Sequence, residues 1–129
     1  MPFMDGREAK NALYEQFTRI GKAVSSPRRI ELLELLAQGE RGVDALAQAA
    51  GLGVTSTSAH LQVLRGARLV DTRRVGTRVL YRLAGAEVVD LVAVIRAIAA
   101  TPLAEVDDVV TSYFTARYPL APVDREHLL

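Results

Sequence analysis

Thr55, Ser56, His60 and Gln62 stand close together on the short stretch Gly51-Leu52-Gly53-Val54-Thr55-Ser56-Thr57-Ser58-Ala59-His60-Leu61-Gln62-Val63-Leu64-Arg65. Two chemistries could use such a set. Hydroxyls, an imidazole and an amide carried on one helix can hydrogen-bond base edges and phosphates in a DNA major groove. A serine and a histidine four apart, Ser56 and His60, could also serve as nucleophile and base. That second chemistry needs a carboxylate to orient the imidazole, and the stretch contains none. Catalysis is therefore not expected. At 100° per residue, Val54, Thr57, Leu61 and Leu64 gather on one face, while Thr55, Ser56, Ala59, His60, Gln62 and Val63 lie on the other. The outward face carries no acid. An ordinary amphipathic helix would show a similar division, so the surrounding sequence must decide.

The charge pattern favours nucleic acid. The 129 residues carry a net charge of only +1, but it is unevenly spread. Residues 65–82 hold Arg65, Arg68, Arg73, Arg74, Arg78 and Arg82 against the single acid Asp71, whereas residues 83–129 hold seven acids and three bases. A basic block between a balanced half and an acidic one makes a local field that attracts a polyanion. A protein-docking module has no need of it. The chain has no cysteine, which excludes disulfides, thiolate metal sites and thiol redox sensing. Residues Met1 to Lys10 do not read as a signal peptide, and the longest apolar run, Val88 to Ala100, contains Asp90 and Arg96 and is too short to span a bilayer. No membrane association is expected, and a cytoplasmic location is. Half the residues are apolar and mean hydropathy is +0.14. This is more apolar surface than a chain of this size readily buries alone, and it predicts an oligomer.

Helical spacing of Ala9, Leu13, Phe17, Ile20 and Val24 predicts a first helix, α1, over about Arg7–Val24. Ser26-Pro27 reads as an N-cap and N1 proline opening α2, which Gly39 ends. A third helix, α3, spans Val43–Ala50, weakly capped by Gly42 and stopped by Gly51, and α4 is the stretch from Val54 to about Arg65. Two short helices joined by a three-to-four-residue turn make a helix-turn-helix. Leu69–Arg74 and Arg78–Leu83 then read as strands of a hairpin turned at Val75-Gly76-Thr77, with arginines at its tip. Helix α5, Ala86 to about Ala100, is apolar almost all round and must be covered on several sides. Pro102 separates it from an amphipathic α6 over Leu103–Tyr118, and Pro119–Leu129 reads as a tail or linker. The expected fold is mainly α: a winged helix-turn-helix in the order α1-α2-α3-α4-β-hairpin-α5-α6. Residues 1–118 form the domain and 119–129 the tail.

Three blocks carry a family likeness: Ala23-Val24-Ser25-Ser26-Pro27-Arg28-Arg29-Ile30-Glu31-Leu32-Leu33, Ser58-Ala59-His60-Leu61-Gln62-Val63-Leu64-Arg65, and Gly76-Thr77-Arg78-Val79-Leu80-Tyr81-Arg82-Leu83. In these, and in the order of its elements, the chain resembles the ArsR/SmtB family of dimeric winged-helix repressors over residues 12–118. The resemblance implies that α4 enters the major groove and that the hairpin reaches backbone or minor groove. The implied DNA contacts are Thr55, Ser56, Thr57, Ser58, Ala59, His60, Gln62 and Arg65, with Arg73, Arg74, Thr77 and Arg78 on the wing. It also implies a homodimer through the first and last helices, with Leu13, Phe17, Val88, Leu91, Val92, Ile95, Val110 and Phe114 at the interface. The partners expected are therefore double-stranded DNA and a second copy of the chain, and the activity is transcriptional regulation on a palindromic operator, by family habit repression.

Departures from the family pattern bear on detail. Ala59 stands where the family usually has glutamine, so one amide reader is missing. Arg68 stands where it usually has glycine. Either Arg68 takes a left-handed conformation, at a cost of about 1 kcal/mol or more, or the turn is rebuilt. Many relatives bind metals through cysteines on the α3 equivalent or through Asp/His/Glu sets on the α5 equivalent. Here α3 offers Asp44 alone, and α5 offers Glu87 and Asp90 without histidine. No metal or cofactor is expected, since the pair Asp124 and His127 in the tail is of a kind more often simply solvated. The signal could be a small apolar molecule between the last helices, a partner protein or domain, or none at all. Pro122–Leu129 resembles the linker that leads, in ArsR–rhodanese fusion proteins, into a C-terminal domain. This leaves open a standalone regulator or the DNA-binding half of one whose sensing lies elsewhere.

Overall fold

The computed structural model describes residues 5–101 and 112–113. The order is α1 (Gly6–Ala23), α2 (Pro27–Gln38), β1 (Arg41–Gly42), α3 (Val43–Ala50), α4 (Val54–Gly66), β2 (Val70–Val75), β3 (Arg78–Leu83) and α5 (Ala86–Ala99). The chain divides into two compact units, Met1–Val92 and Ala93–Leu129, with the division falling inside α5. The expected α6 and tail, and with them Val110, Phe114, Asp124 and His127, lie outside the described residues.

Local chemistry sets the helix ends. The Asp5 side chain accepts from the Glu8 N–H at 2.7 Å to start α1, and Ser26 accepts from the Arg29 N–H at 3.3 Å to start α2 with Pro27 in its first turn. Helices α3 and α4 begin at Gly42 and Gly53, neither of which supplies a side-chain acceptor. Gly51 ends α3 at φ 67°, the left-handed conformation that glycine adopts without a Cβ penalty.

The core of the first unit is a leucine cluster. Leu32, Leu33 and Leu35 of α2, Leu46 of α3, and Leu61 and Leu64 of α4 are almost wholly buried, joined by Val70 of β2 and Tyr81 of β3. Each leucine removed from water in this way contributes about 1.5–3 kcal/mol. Because α4 donates Leu61 and Leu64 to this cluster and buries Thr57 as well, its rotation about its own axis is fixed, and so is the face it turns outward. Val54, expected inward, is exposed. It opens the helix and has no preceding turn against which to pack.

The sheet has one strand more than the expected hairpin. Strand β1 pairs antiparallel with β3 (Arg41 opposite Tyr81, Gly42 opposite Leu80), and β2 pairs with the other edge of β3. Val75 faces Arg78 across the two-residue turn Gly76-Thr77, with Gly76 at φ 62°.

After α4 the chain turns at Arg68, the sole non-glycine with positive φ among the described residues (65°). The left-handed option is thus the one taken. It costs about 1–2 kcal/mol in an L-residue, of which glycine's greater freedom when unfolded would return roughly 0.4–1. Arg68→Gly is expected to stabilise the fold by roughly 0.5–1 kcal/mol, read as a Tm raised by a few degrees. An unchanged or lowered Tm would show that the Arg68 side chain holds the turn.

In α5, Val88 and Val92 are buried in the protomer's own core, with Leu91 packed beside them. This corrects the expectation that Val88 and Val92 serve a dimer interface: one turn apart, they are the residues that fasten α5 to the first unit. The helix's outward apolar residues are instead Val89, Val94 and Ile98, with Ile95 half-buried. Leu13, Tyr14 and Phe17 of α1 are also about half exposed.

Candidate nucleic-acid interface

The outward face of α4 is set by the leucines behind it. Thr55, Ser56, Ala59, Gln62, Val63 and Arg65 are exposed, and Ser58 is half-buried. Thr57 has to be withdrawn from the base-reading set: it is 0% exposed, and its hydroxyl donates to the Gly53 carbonyl at 2.9 Å. The 100° helical count already placed it inward, and packing decides in favour of that count. No acid stands on this helix, and its first-turn N–H groups meet no side-chain cap. The N-terminal end of α4 therefore keeps the partial positive charge of the helix dipole.

His60 is half-buried, with its Nδ1 3.3 Å from Nη1 of Arg29. Its hydrogen-bonding partner is thus a guanidinium, where a Ser–His nucleophile would need a carboxylate behind the ring.

On the wing, strand alternation separates neighbours that the sequence set side by side. Arg73 lies opposite Leu80 and Arg74 opposite Val79, so the two arginines project from opposite faces of the sheet. Arg73 is held: its Nε and Nη2 donate to the two carboxylate oxygens of Glu40 at 2.7 and 2.6 Å. This bidentate pair spans β3 from one side of the sheet to the other. The Arg73 hydrogen bonds hold the Glu40 carboxyl below its ordinary value of 4.5, against some desolvation, with the charges of Arg73 and Arg82 adding to the effect. The stability from this pair is therefore complete above that ordinary value and is lost as pH falls through the lower folded one. Arg78 lies on the same face, its guanidinium packed above Gly42, where a Cβ would sit 3.6 Å from Nη2. Arg74, Thr77 and Arg78 are exposed at and near the tip. Glu40, β1 and the Arg29–His60 contact were absent from the sequence reading. Counting outward from the Gly76-Thr77 turn would have separated Arg73 from Arg74, but no local signal points to Glu40.

An acid-free helix face beside an arginine hairpin, mounted on a leucine core, has close counterparts. Residues 26–72, which run from the α2 cap through α4 into β2, match the family described as bacterial regulatory protein, arsR family. HTH-type transcriptional regulator Rv0324 of Mycobacterium tuberculosis is 48% identical over 99 residues, which are 77% of this chain and 44% of Rv0324. The uncharacterized HTH-type transcriptional regulator Rv0081 of the same organism is 35% identical over 94 residues, 72% of this chain and 82% of that relative. The chain belongs to the ArsR family. Solved structures agree with this ArsR-family fold. The homodimeric winged helix-turn-helix DNA-binding domain of Mb0332 from Mycobacterium bovis, a possible ArsR-family transcriptional regulator, superposes with a TM-score of 0.69 at 46% identity, covering 77% of this chain and 90% of that one. The transcriptional repressor BigR from Xylella fastidiosa superposes with a TM-score of 0.61 at 34% identity, covering 71% and 94%. The chain spans less than half the length of Rv0324. Among the described residues no helix is long and apolar enough to cross a membrane, and no three His, Cys, Asp or Glu side chains gather as a metal site.

Proposed function

We propose that this ArsR-family chain is a DNA-binding transcriptional repressor that acts as a two-fold dimer on a palindromic operator, with residues 1–118 as its binding and dimerisation domain. The observation that carries the reading is the acid-free outer face of α4 standing beside exposed wing arginines. Thr55, Ser56, Ser58, His60 and Gln62 read base edges, with Ala59 as an apolar contact for a thymine methyl group. Arg65, Arg74, Thr77 and Arg78 hold the backbone, and Arg73, engaged by Glu40, braces the wing. Dimerisation uses the uncovered apolar residues of α1, Leu13 and Phe17 among them, with Leu91, Ile95 and the outward residues of α5. Mb0332 is described as homodimeric, and BigR as a repressor; both support the assignment.

With three free arginines per protomer engaging phosphates, six contacts release counterions from one duplex. Affinity for a palindromic duplex is then expected to fall about 10³-fold between 50 and 200 mM salt. Glu40→Gln frees a fourth arginine in each protomer. It should tighten binding to unselected duplex at low salt and steepen the log–log slope by about 0.9 for each added contact. Fluorescence anisotropy across a salt series measures both. A flat salt response sinks the DNA reading, and an unchanged slope in Glu40→Gln sinks the bracing role given to Arg73.

A further inference from the structure

Arg29 joins three elements at one point. It lies in the first turn of α2, where its backbone N–H completes the Ser26 cap. Its Nε donates to the Ala23 carbonyl at 2.7 Å and its Nη2 to the Lys22 carbonyl at 3.1 Å, both at the C-terminal end of α1. The remaining arm, Nη1, reaches His60 Nδ1 on α4 at 3.3 Å. Beside this point an open groove of about 530 Å³ runs between α1 and α4, lined by Thr18, Arg19, Lys22, Gln62 and Val63 among others. The guanidinium is thus a link from the end of α1 to the outward half of the recognition helix. Its orientation is fixed by two carbonyls that belong to neither α2 nor α4.

A guanidinium has only donors. For the 3.3 Å contact to be a hydrogen bond, the His60 lone pair lies on Nδ1, and a neutral ring then carries its proton on Nε2. Among the described residues Nε2 has no hydrogen-bond partner, and no buried side-chain nitrogen or oxygen there is left unpaired. Nε2–H is accordingly open to solvent, on a helix face whose neighbours Ser56, Ala59 and Gln62 are exposed. Unassisted, an imidazole can present either a donor or an acceptor at that atom and so discriminates poorly between base edges.

We propose that Arg29 is a positioning residue for sequence recognition: it locks His60 in the Nε2–H tautomer and so makes it an obligate hydrogen-bond donor to an acceptor edge in the major groove. N7 or O6 of guanine, N7 of adenine and O4 of thymine would satisfy it, whereas the N4 amino group of cytosine would not. This rests on the DNA-binding reading above.

Two measurements on the full chain test it. The first uses no DNA: long-range ¹H–¹⁵N spectra of the imidazole in wild type, Arg29→Met and Arg29→Lys. Lysine can keep a charge at the α1 carbonyls but lacks the planar fork that reaches His60 as well. The wild-type ring is expected as pure Nε2–H, with a tautomer mixture in both variants, each checked for folding by thermal melting. The second selects duplexes from a randomised pool with wild type, Arg29→Lys, His60→Ala and the double variant. Arg29→Lys should lose about 3- to 10-fold of discrimination at a single base pair per half-site, and in the His60→Ala background it should lose none. A wild-type ring that is not Nε2–H, an unchanged tautomer in the variants, or an equal loss in the His60→Ala background overturns the proposal. If wild type enriches no sequence, the DNA reading fails, and the nitrogen spectra still show separately whether Arg29 sets the ring.

Discussion

Leu61→Ala is expected to cost roughly 2–5 kcal/mol of folding stability, the loss of a fully buried leucine from the inner face of α4. The side chain is 0% exposed at the junction of α2, α3 and α4, among Leu32, Leu33, Leu46 and Leu64. Truncation removes its transfer free energy and leaves a cavity that its neighbours can close only in part. Whole domains are held by only about 5–15 kcal/mol, so the variant would stand near its unfolding threshold. The same cavity frees the rotation of α4 that turns Ser56 and Gln62 outward, so DNA binding should fall with stability. Val63→Ala on the opposite face is the control. Val63 is exposed, and its truncation is expected to change stability by less than about 0.5 kcal/mol. Urea unfolding at one fixed protomer concentration separates the two, since association adds to apparent stability. A loss below 1 kcal/mol for Leu61→Ala would mean that the leucine cluster does not hold the recognition helix.

Which parts of this architecture were legible in the sequence follows from the range of the interactions that make them. Helix ends were legible because their causes are local: Ser26-Pro27 opens α2 and Gly51 closes α3 within a residue or two of the apolar pattern they bound. The inward side of α4 was legible because one core lies behind it and the opposite face is polar. For Thr57, periodicity and family likeness gave different answers, and burial followed periodicity. Helix α5 offered no such contrast. Apolar residues on nearly all sides cannot say which side meets the protomer's own core, and Val88 and Val92 were accordingly placed in the wrong environment. Contacts between distant residues were out of reach. Glu40 and Arg73 are 33 residues apart, and Arg29 and His60 are 31 apart. Strand β1, two residues with one a glycine, has no pattern of its own and exists because β3 presents it with an edge.

The other large effect is expected at a residue that contributes little to the protomer itself. Phe17→Asp should convert the dimer to monomer and weaken binding to a palindromic duplex by about 10²-fold or more, while leaving the monomer folded. Phe17 is 54% exposed, and its ring centroid lies 5.8 Å from that of Tyr14. With Leu13 one turn earlier, these residues form an apolar face on α1 that the described protomer does not cover. A carboxylate there costs the isolated chain little, because water still reaches it. Once a second copy covers that face, the carboxylate must lose its hydration with no cation opposite, a penalty of several kcal/mol. In an isologous interface every substitution enters twice. Loss of the dimer separates two recognition helices whose linkage makes the second half-site contact intramolecular, a gain of roughly 10²–10⁴ in affinity. Sedimentation equilibrium gives the oligomeric state, and titration of single-half-site and palindromic duplexes gives the coupling. Phe17→Asp should bind both duplexes with similar, weak affinity per half-site, whereas Ser56→Ala should keep the dimer and lose affinity on each. A Phe17→Asp protein that remains a dimer would place the interface elsewhere. A monomer that still prefers the palindrome would show that the DNA itself assembles the pair, in which case the apolar face of α1 would only supplement that assembly.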